Sequence, residues 1–406
     1  MRMSTSMLDQ AAVNGIMQEQ AALSQTQQQL SSGKSINTPA DNPVGMVQLL
    51  QLTNTNSQYQ QYISNGQSAN TNLQLEEQAL GTSTTTLQSI RDLVVQANSG
   101  ANSTTDLKDI ATQIGALESQ LLGTANSKNA QGDYLFAGYS VGTQPFARGS
   151  TGSIAYLGDT GASSVPLNGG TSVQTGDPGS AVFMNVPTGN GTFTAAAGAG
   201  NTGTGVVDAG SVTDAATWAA AQTSDPGPYT ITFTGTNAYT VTDGAGNSIA
   251  TGAYDSTQGG NIDFNGVQVG ISGAPAAGDS FTVAAAGSQS VFDTLDKLTG
   301  ALNGAGSDSA SRAQLSSMLN QSLQQIDGAL NQVSTVTTNV GSRISLISSV
   351  NNTLASQSTT LQTQMSNLSS LDYAAATSQY SQEYVALQAA EQSYASLSQL
   401  SLFKYL

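Results

Sequence analysis

The stretch 319-LNQSLQQIDGALNQVSTVTTNVGSRISLISSVNNTLASQSTTLQTQMSNL-368 decides the fold. In it Leu319, Leu323, Ile326, Leu330, Val333, Val340, Ile344, Ile347, Leu354, Leu361, Met365 and Leu368 follow one another at steps of three, four and seven. That period places apolar side chains on one face of an α-helix. A helix of about 50 residues would run about 75 Å. A single stripe on so long a rod cannot bury itself, so another helix must cover it.

The other half of the chain offers that partner. Between Asn42 and Asn98 the spacing predicts one long helix, with Asn42 as N-cap, Pro43 at the first helical position and Asn98-Ser99-Gly100 as the stop. Leu52, Tyr59, Leu73, Leu80, Leu87 and Val94 share one heptad position, interrupted by Gly66. Tyr62, Ala69, Ile90 and Ala97 share the companion position with Glu76 and Ser83. A shorter helix is expected after Ser103, whose spacing to Asp106 fits a capping box, with Leu107, Ile110, Ile114, Leu117 and Leu121 on its seam.

Near the C-terminus the pattern continues in a shifted register, with Tyr373, Tyr380, Leu387 and Tyr394 seven apart and Leu397, Leu400, Leu402 and Phe403 clustered behind them. At the N-terminus Ile16, Leu23 and Leu30 keep a heptad, but Asp9 and several Gln and Ser residues dilute it. Such a helix is marginal alone.

From about Val141 to Val283 the composition turns to Gly, Thr, Ala, Ser and Asn, with short alternating apolar segments between turn residues. The plainest hairpin runs from Ile262 and Phe264 through Asn265-Gly266 to Val267, Val269 and Ile271, because Asn-Gly supplies the two positive φ angles of a type I′ turn. Tyr229, Ile231 and Phe233, then Tyr239 and Val241, and finally Phe281 and Val283 mark further strands. The expected fold is therefore mostly α with a β-rich insertion: long antiparallel coiled-coil-like helices from both termini flank a small antiparallel β domain. The expected boundaries are 1–42 for an N-terminal inner helix and loop, 43–140 and 286–370 for the two parts of a helical domain, 141–285 for the insertion and 371–406 for a C-terminal inner helix.

Composition narrows the function. Ten Lys and Arg against 26 Asp and Glu give a formal charge of −16, and no basic residue occurs between Arg148 and Lys297. Nucleic-acid and anionic-membrane binding are thereby disfavoured, and partners should be proteins. Met1-Arg2-Met3 is not followed by an apolar core and cleavage site, and no run of about 18 apolar residues occurs, so neither a cleaved signal peptide nor a membrane span is expected.

The chain has no Cys and no His, which removes disulfides, thiol nucleophiles, imidazole metal sites and every triad built on histidine. Gly33-Lys34-Ser35 lacks the upstream glycine and strand of a phosphate-binding loop, having Gln28 where the glycine belongs. Asp243, Ala245 and Asn247 miss a calcium-loop ligand and the terminal glutamate, and read as a hairpin tip. Glu76-Glu77 reads as solvated charge, and Tyr373, Tyr380, Tyr384 and Tyr394 as packing. No cofactor, metal or catalytic residue is expected, and the chain should not be an enzyme.

Four stretches carry a family resemblance. Leu30-Ser31-Ser32-Gly33-Lys34-Ser35-Ile36-Asn37 with Pro39-Ala40-Asp41-Asn42-Pro43 resembles the loop between the first two helices of the flagellin superfamily, although an acidic residue is more usual at Asn42. Met1-Arg2-Met3-Ser4-Thr5, Gly132-Asp133-Tyr134-Leu135-Phe136-Ala137-Gly138-Tyr139 with Thr143 and Pro145-Phe146, and Ser401-Leu402-Phe403-Lys404-Tyr405-Leu406 resemble its FlgL-type hook-associated members more narrowly.

The resemblance implies an extracellular structural subunit at the hook-filament junction of a bacterial flagellum, exported by the flagellar type III route without a cleaved signal peptide. Its implied partners are further copies of itself, the first hook-associated protein, flagellin and a flagellar export chaperone. The helical seams at Ile16, Leu23, Leu30, Leu73, Leu80, Leu87, Leu354, Leu361, Leu368, Tyr380, Leu387 and Tyr394 are the expected assembly interface. Both chain ends are expected to order only on assembly. Two other readings stay open: a flagellin forming the filament itself, and a secreted coiled-coil adhesin.

Overall fold

The long helix expected from Asn42 begins there. In the computed structural model, which describes residues 5–150 and 152–399, Asn42 Oδ1 accepts the Gly45 N–H at 2.9 Å and helix α2 runs Pro43–Ala97. It follows α1 (Thr5–Ser32) and precedes α3 (Thr104–Ala125). The Ser103–Asp106 capping box is formed: Asp106 N–H donates to Ser103 Oγ at 3.2 Å, and Ser103 N–H to Asp106 Oδ2 at 2.8 Å. Helix α4 (Ala215–Ser224) lies within the insertion, and α5 (Val291–Asn303) follows it. The decisive seam forms α6 (Ser309–Ser369), and α7 (Tyr373–Gln399) starts after a break at which Asp372 Oδ1 accepts the N–H groups of Ala374 and Ala375. That restart accounts for the shifted register read from Tyr373 onward. The opening motif at residues 1–4 and the closing one at 401–406, with Leu400, Leu402 and Phe403, lie outside the described residues, as does the side chain of Leu397.

The chain divides into two units, one made of residues up to 64 with those from 349 onward, the other of residues 65–348. In the first unit α1 packs against α7. Gln60 Nε2 donates to Ser358 Oγ at 2.8 Å, and Thr53 Oγ1 reaches the Met365 sulfur at 3.5 Å, so seven residues forward on α2 match seven residues back on α6. The pairing is antiparallel.

The second unit repeats that spacing with other residues. Arg91 Nε donates to Asp327 Oδ1 at 2.7 Å, and Asn98 Nδ2 to Asn320 Oδ1 at 3.0 Å. Leu73, Leu80, Leu87, Ile90 and Val94 of α2 are fully buried, with Leu319, Ile326, Val333, Val340 and Ile347 of α6 in the same state. Helix α3 packs on α5. Burying each such aliphatic side chain contributes about 1.5–3 kcal/mol against exposure.

Many Ser and Thr hydroxyls in the long helices bond to their own backbone four residues earlier. Thr82, Ser83, Thr84, Thr85 and Thr86 do so in unbroken succession, at 2.9–3.1 Å. These hydroxyls are satisfied without a partner helix.

The insertion is antiparallel, as its patterning predicts. One sheet orders the strands Ser248–Ala253, Ala238–Thr242, Tyr229–Phe233, Ser280–Ala285 and Phe193–Ala197. A second pairs Gly260–Phe264 with Val267–Ser272, whose other edge carries Val206–Val207 and Ser211–Val212. Asn265 at φ 47° and Gly266 at φ 77° make the turn between Phe264 and Val267, as expected of Asn-Gly. Alternate residues of both sheets meet in one core with Trp218 of α4, which packs on Phe193 and Tyr229 at 5.8 and 5.7 Å between ring centroids.

Candidate assembly surface

The described residues hold no group of acidic side chains placed to bind a metal. No described helix is long and apolar enough to cross a membrane.

The nominated residues fall into two sets. Leu73, Leu80 and Leu87 are wholly buried in the second unit, where this chain's own side chains fill their seam. Leu354, 4% exposed, is buried in the first unit. Ile16, Leu23, Leu30, Leu361, Leu368, Tyr380, Leu387 and Tyr394 all belong to the first unit and are only half-buried.

Around them lie apolar side chains that the seams did not single out. Met7, Leu8 and Met17 of α1, Val44, Val47 and Leu50 of α2, and Val385 of α7 are exposed. Val44, Val47 and Leu50 stand three apart at the start of α2, and Val44 is 78% exposed. Three-residue spacing in the 319–368 seam was readable as a stripe; a short run at a helix start was not. Tyr373 and Tyr384 are also exposed. Tyr380 and Tyr384, one turn apart, stack with ring centroids 6.5 Å apart.

The loop between α1 and α2 is built to hold its shape. Asp41 Oδ2 accepts the N–H groups of Thr38 and Asn37 at 2.8 and 2.9 Å, and its Oδ1 accepts Gln25 Nε2 at 2.8 Å. Those backbone bonds hold its carboxyl below the usual carboxylate range. Ile36 is buried beneath the loop, and Lys34 forms an antiparallel bridge with Ser370. Gly33-Lys34-Ser35 thus serves as backbone stitching, and Asp243–Asn247 is the hairpin tip expected: Asp243 Oδ1 accepts the Ala245 and Asn247 N–H groups.

The stretch Leu135-Phe136 to Phe146 forms a second centre of packing. Phe136 and Phe146 are fully buried and each meets Phe183 edge-on, at 5.5 and 5.6 Å; Phe146 also meets Phe292 of α5 at 5.4 Å. Beside this cluster Arg148 pairs with the buried Glu118 of α3 and with Asp296 at 3.3 Å. No spacing in the sequence announced that pair.

Glu76 is the clear departure from expectation. It is 1% exposed, not solvated, because its place on the α2 seam overrides its residue type. Its neighbour Glu77 is exposed as expected.

Terminal helical regions with a β region inserted between them are those of a flagellin-type protein. Residues 3–141 match the bacterial flagellin N-terminal helical region, and residues 323–406 the bacterial flagellin C-terminal helical region. Residues 196–285 match the D2-like domain of flagellar hook-associated protein 1.

More narrowly, the fold is similar to the crystal structure of FlgL from Xanthomonas campestris, with 33% identity, 78% of this chain and 99% of that one covered, and a TM-score of 0.71. It is also similar to flagellar hook associated protein-3 from Legionella pneumophila, with 30% identity, 78% and 99% coverage and a TM-score of 0.72. Flagellar hook-associated protein 3 of Escherichia coli is 32% identical over 186 residues, 46% of this chain. The chain spans 58% of the length of that curated relative. The chain belongs to the FlgL family of flagellar hook-associated proteins. Flagellins are its more distant relatives.

Proposed function

We propose that this chain is the structural subunit that adapts the flagellar hook to the flagellin filament at the hook-filament junction, outside the cell, and that it has no enzymatic role. The carrying observation is that the half-buried seams and exposed apolar side chains of α1, α7 and the start of α2 gather in one unit made from both ends of the chain. Apolar area left exposed in this way favours association with like rods at about 25 cal/mol per Å² buried.

Ile16, Leu23, Leu30, Leu361, Leu368, Tyr380, Leu387 and Tyr394 would then meet neighbouring subunits, with Leu73, Leu80, Leu87 and Leu354 stiffening the rods behind them. Residues 1–42 and 371–406 form the inner layer, 43–140 and 286–370 the helical wall, and 141–285 faces outwards. The neighbours are further copies of this chain, the first hook-associated protein and flagellin, and an export chaperone covers the apolar C-terminus before secretion. A FlgL from Legionella pneumophila, 31% identical, is described as a flagellar junction protein, which supports the reading.

The test is to image a tagged copy along isolated flagella. Signal confined to the distal end of the hook is expected, together with hooks that lack filaments in a deletion strain. Signal along the whole filament would mean a flagellin. Absence from flagella, with surface-ligand binding that depends on residues 141–285, would mean an adhesin.

A further inference from the structure

Glu76 accepts the backbone N–H of Asp177 on Oε1 at 3.0 Å. Asp177 in turn holds Arg343 of α6 by two bonds, 2.7 and 3.0 Å long. Three segments remote in sequence therefore meet at a largely buried cluster of two acids and one base: α2, the loop Thr175–Gly179 and α6. With both acids ionised, this cluster would carry one uncompensated negative charge away from water, a strongly disfavoured state.

The surroundings of the second oxygen agree. Glu76 Oε2 is buried, and no donor among the described residues reaches it. A side-chain carbon built on Gly176 would stand 3.7 Å from Oε2, so the loop backbone lies close against that oxygen. No protein group among the described residues donates to a carboxylate there, whereas a carboxylic acid has a proton to give. Gly176, Asp177 and Leu135 line a cavity of about 240 Å³ with Asn72, Asn129 and Asp133. The charged groups facing Glu76 are Asp177 from the loop and Arg343 from α6, with Asp133 and Tyr134 on the wall of the same cavity.

We propose that Glu76, Asp177 and Arg343 form a proton-operated latch: Glu76 holds the Thr175–Gly179 loop against α2 and α6 as a neutral acid and releases it as a carboxylate. The latch lies in the second unit and is independent of the assembly reading.

Burial first, and then the charge of Asp177, pushes Glu76 up to about 8 from 4.5. Because the folded value lies above the unfolded one, the latch stabilises fully below about 4.5, weakens as pH climbs, and has lost its effect once pH passes about 8.

The experiment compares the full-length wild type with Glu76→Gln between about pH 5 and 9, reading amide exchange at Asp177, corrected for intrinsic rates, and the thermal midpoint. The wild-type opening equilibrium should rise relative to the variant by up to about tenfold per pH unit and level off beyond about pH 8. Parallel profiles in the two proteins overturn the proposal. Should Glu76→Gln fail to fold, infrared spectra of the wild type decide: a protonated-carboxyl band present near pH 6 and bleached near pH 9 supports the latch, and no such band at pH 6 overturns it.

Discussion

The backbone N–H of Ser35 donates to the carbonyl of Ser369 across 2.7 Å, and two residues further on Leu371 N–H returns a bond to the Gly33 carbonyl at 3.1 Å. The loop after α1 is thereby stitched to the end of α6, and α1 and α7 leave that point side by side. Lys34 and Ser370 sit at its centre.

Gly33 is the vulnerable residue of this stitch. Its φ of 69° lies in the left-handed region, and an added Cβ would approach the Tyr373 hydroxyl to 2.7 Å. Gly33→Ala should cost about 1–2 kcal/mol and speed amide exchange in α1 and α7. Gly15→Ala, in open space within α1, should instead stabilise that helix by about 0.5–1 kcal/mol. Equal effects from the two variants would refute this account of Gly33.

Substitutions on the two kinds of seam should separate folding from assembly. Leu87→Ala empties a fully buried site and should lower stability by about 2–5 kcal/mol in urea unfolding. Val47→Asp changes a side chain that is 58% exposed, so monomer stability should stay within about 0.5 kcal/mol while incorporation into flagella fails. Normal incorporation of Val47→Asp would remove the start of α2 from the proposed interface.

Asp41 should make its loop sensitive to acid. Its folded value is lowered from 3.8, so its support is present above about 3.8 and is lost as pH falls through the lower folded value. Amide exchange at Asn37 and Thr38, corrected for the fall in intrinsic rates, should rise on acidification, and Asp41→Asn should reproduce much of that rise at neutral pH. Unchanged exchange in that variant would show the loop to be held by other groups.

The single tryptophan reports on the insertion. Trp218 is 5% exposed and wedged against Phe193 and Tyr229. Trp218→Ala should cost the β region about 3–5 kcal/mol. In the wild type, a red shift of its emission should track loss of the sheets; emission already solvent-like in the folded protein would contradict this packing.

The sequence made the long rods legible because each seam repeats over many turns, and Asn42-Pro43 and Ser103–Asp106 mark helix starts by local chemistry alone. Asn265-Gly266 did the same for one hairpin. Helix α4 escaped notice because Ala215–Ser224 is small-residue rich and carries one large apolar side chain, leaving no periodic signal. Glu76 was misread from its type, although its heptad position beside Ala69 and Ser83 pointed inward. The Arg148–Glu118 pair depends on tertiary approach that spacing cannot encode. Val44, Val47 and Leu50 gave too short a pattern to distinguish an exposed stripe from a buried one.

The hydroxyls that Thr82 to Thr86 turn back onto their own helix have a final consequence. Donors engaged in this way do not reach across to a neighbour, and only 9% of the chain is charged. Over residues 82–86, contacts with a neighbouring rod are left to contour and methyl groups. In that stretch ionic strength should then be a feeble lever on lateral recognition, since dissolved salt shields only charges and these five side chains carry none.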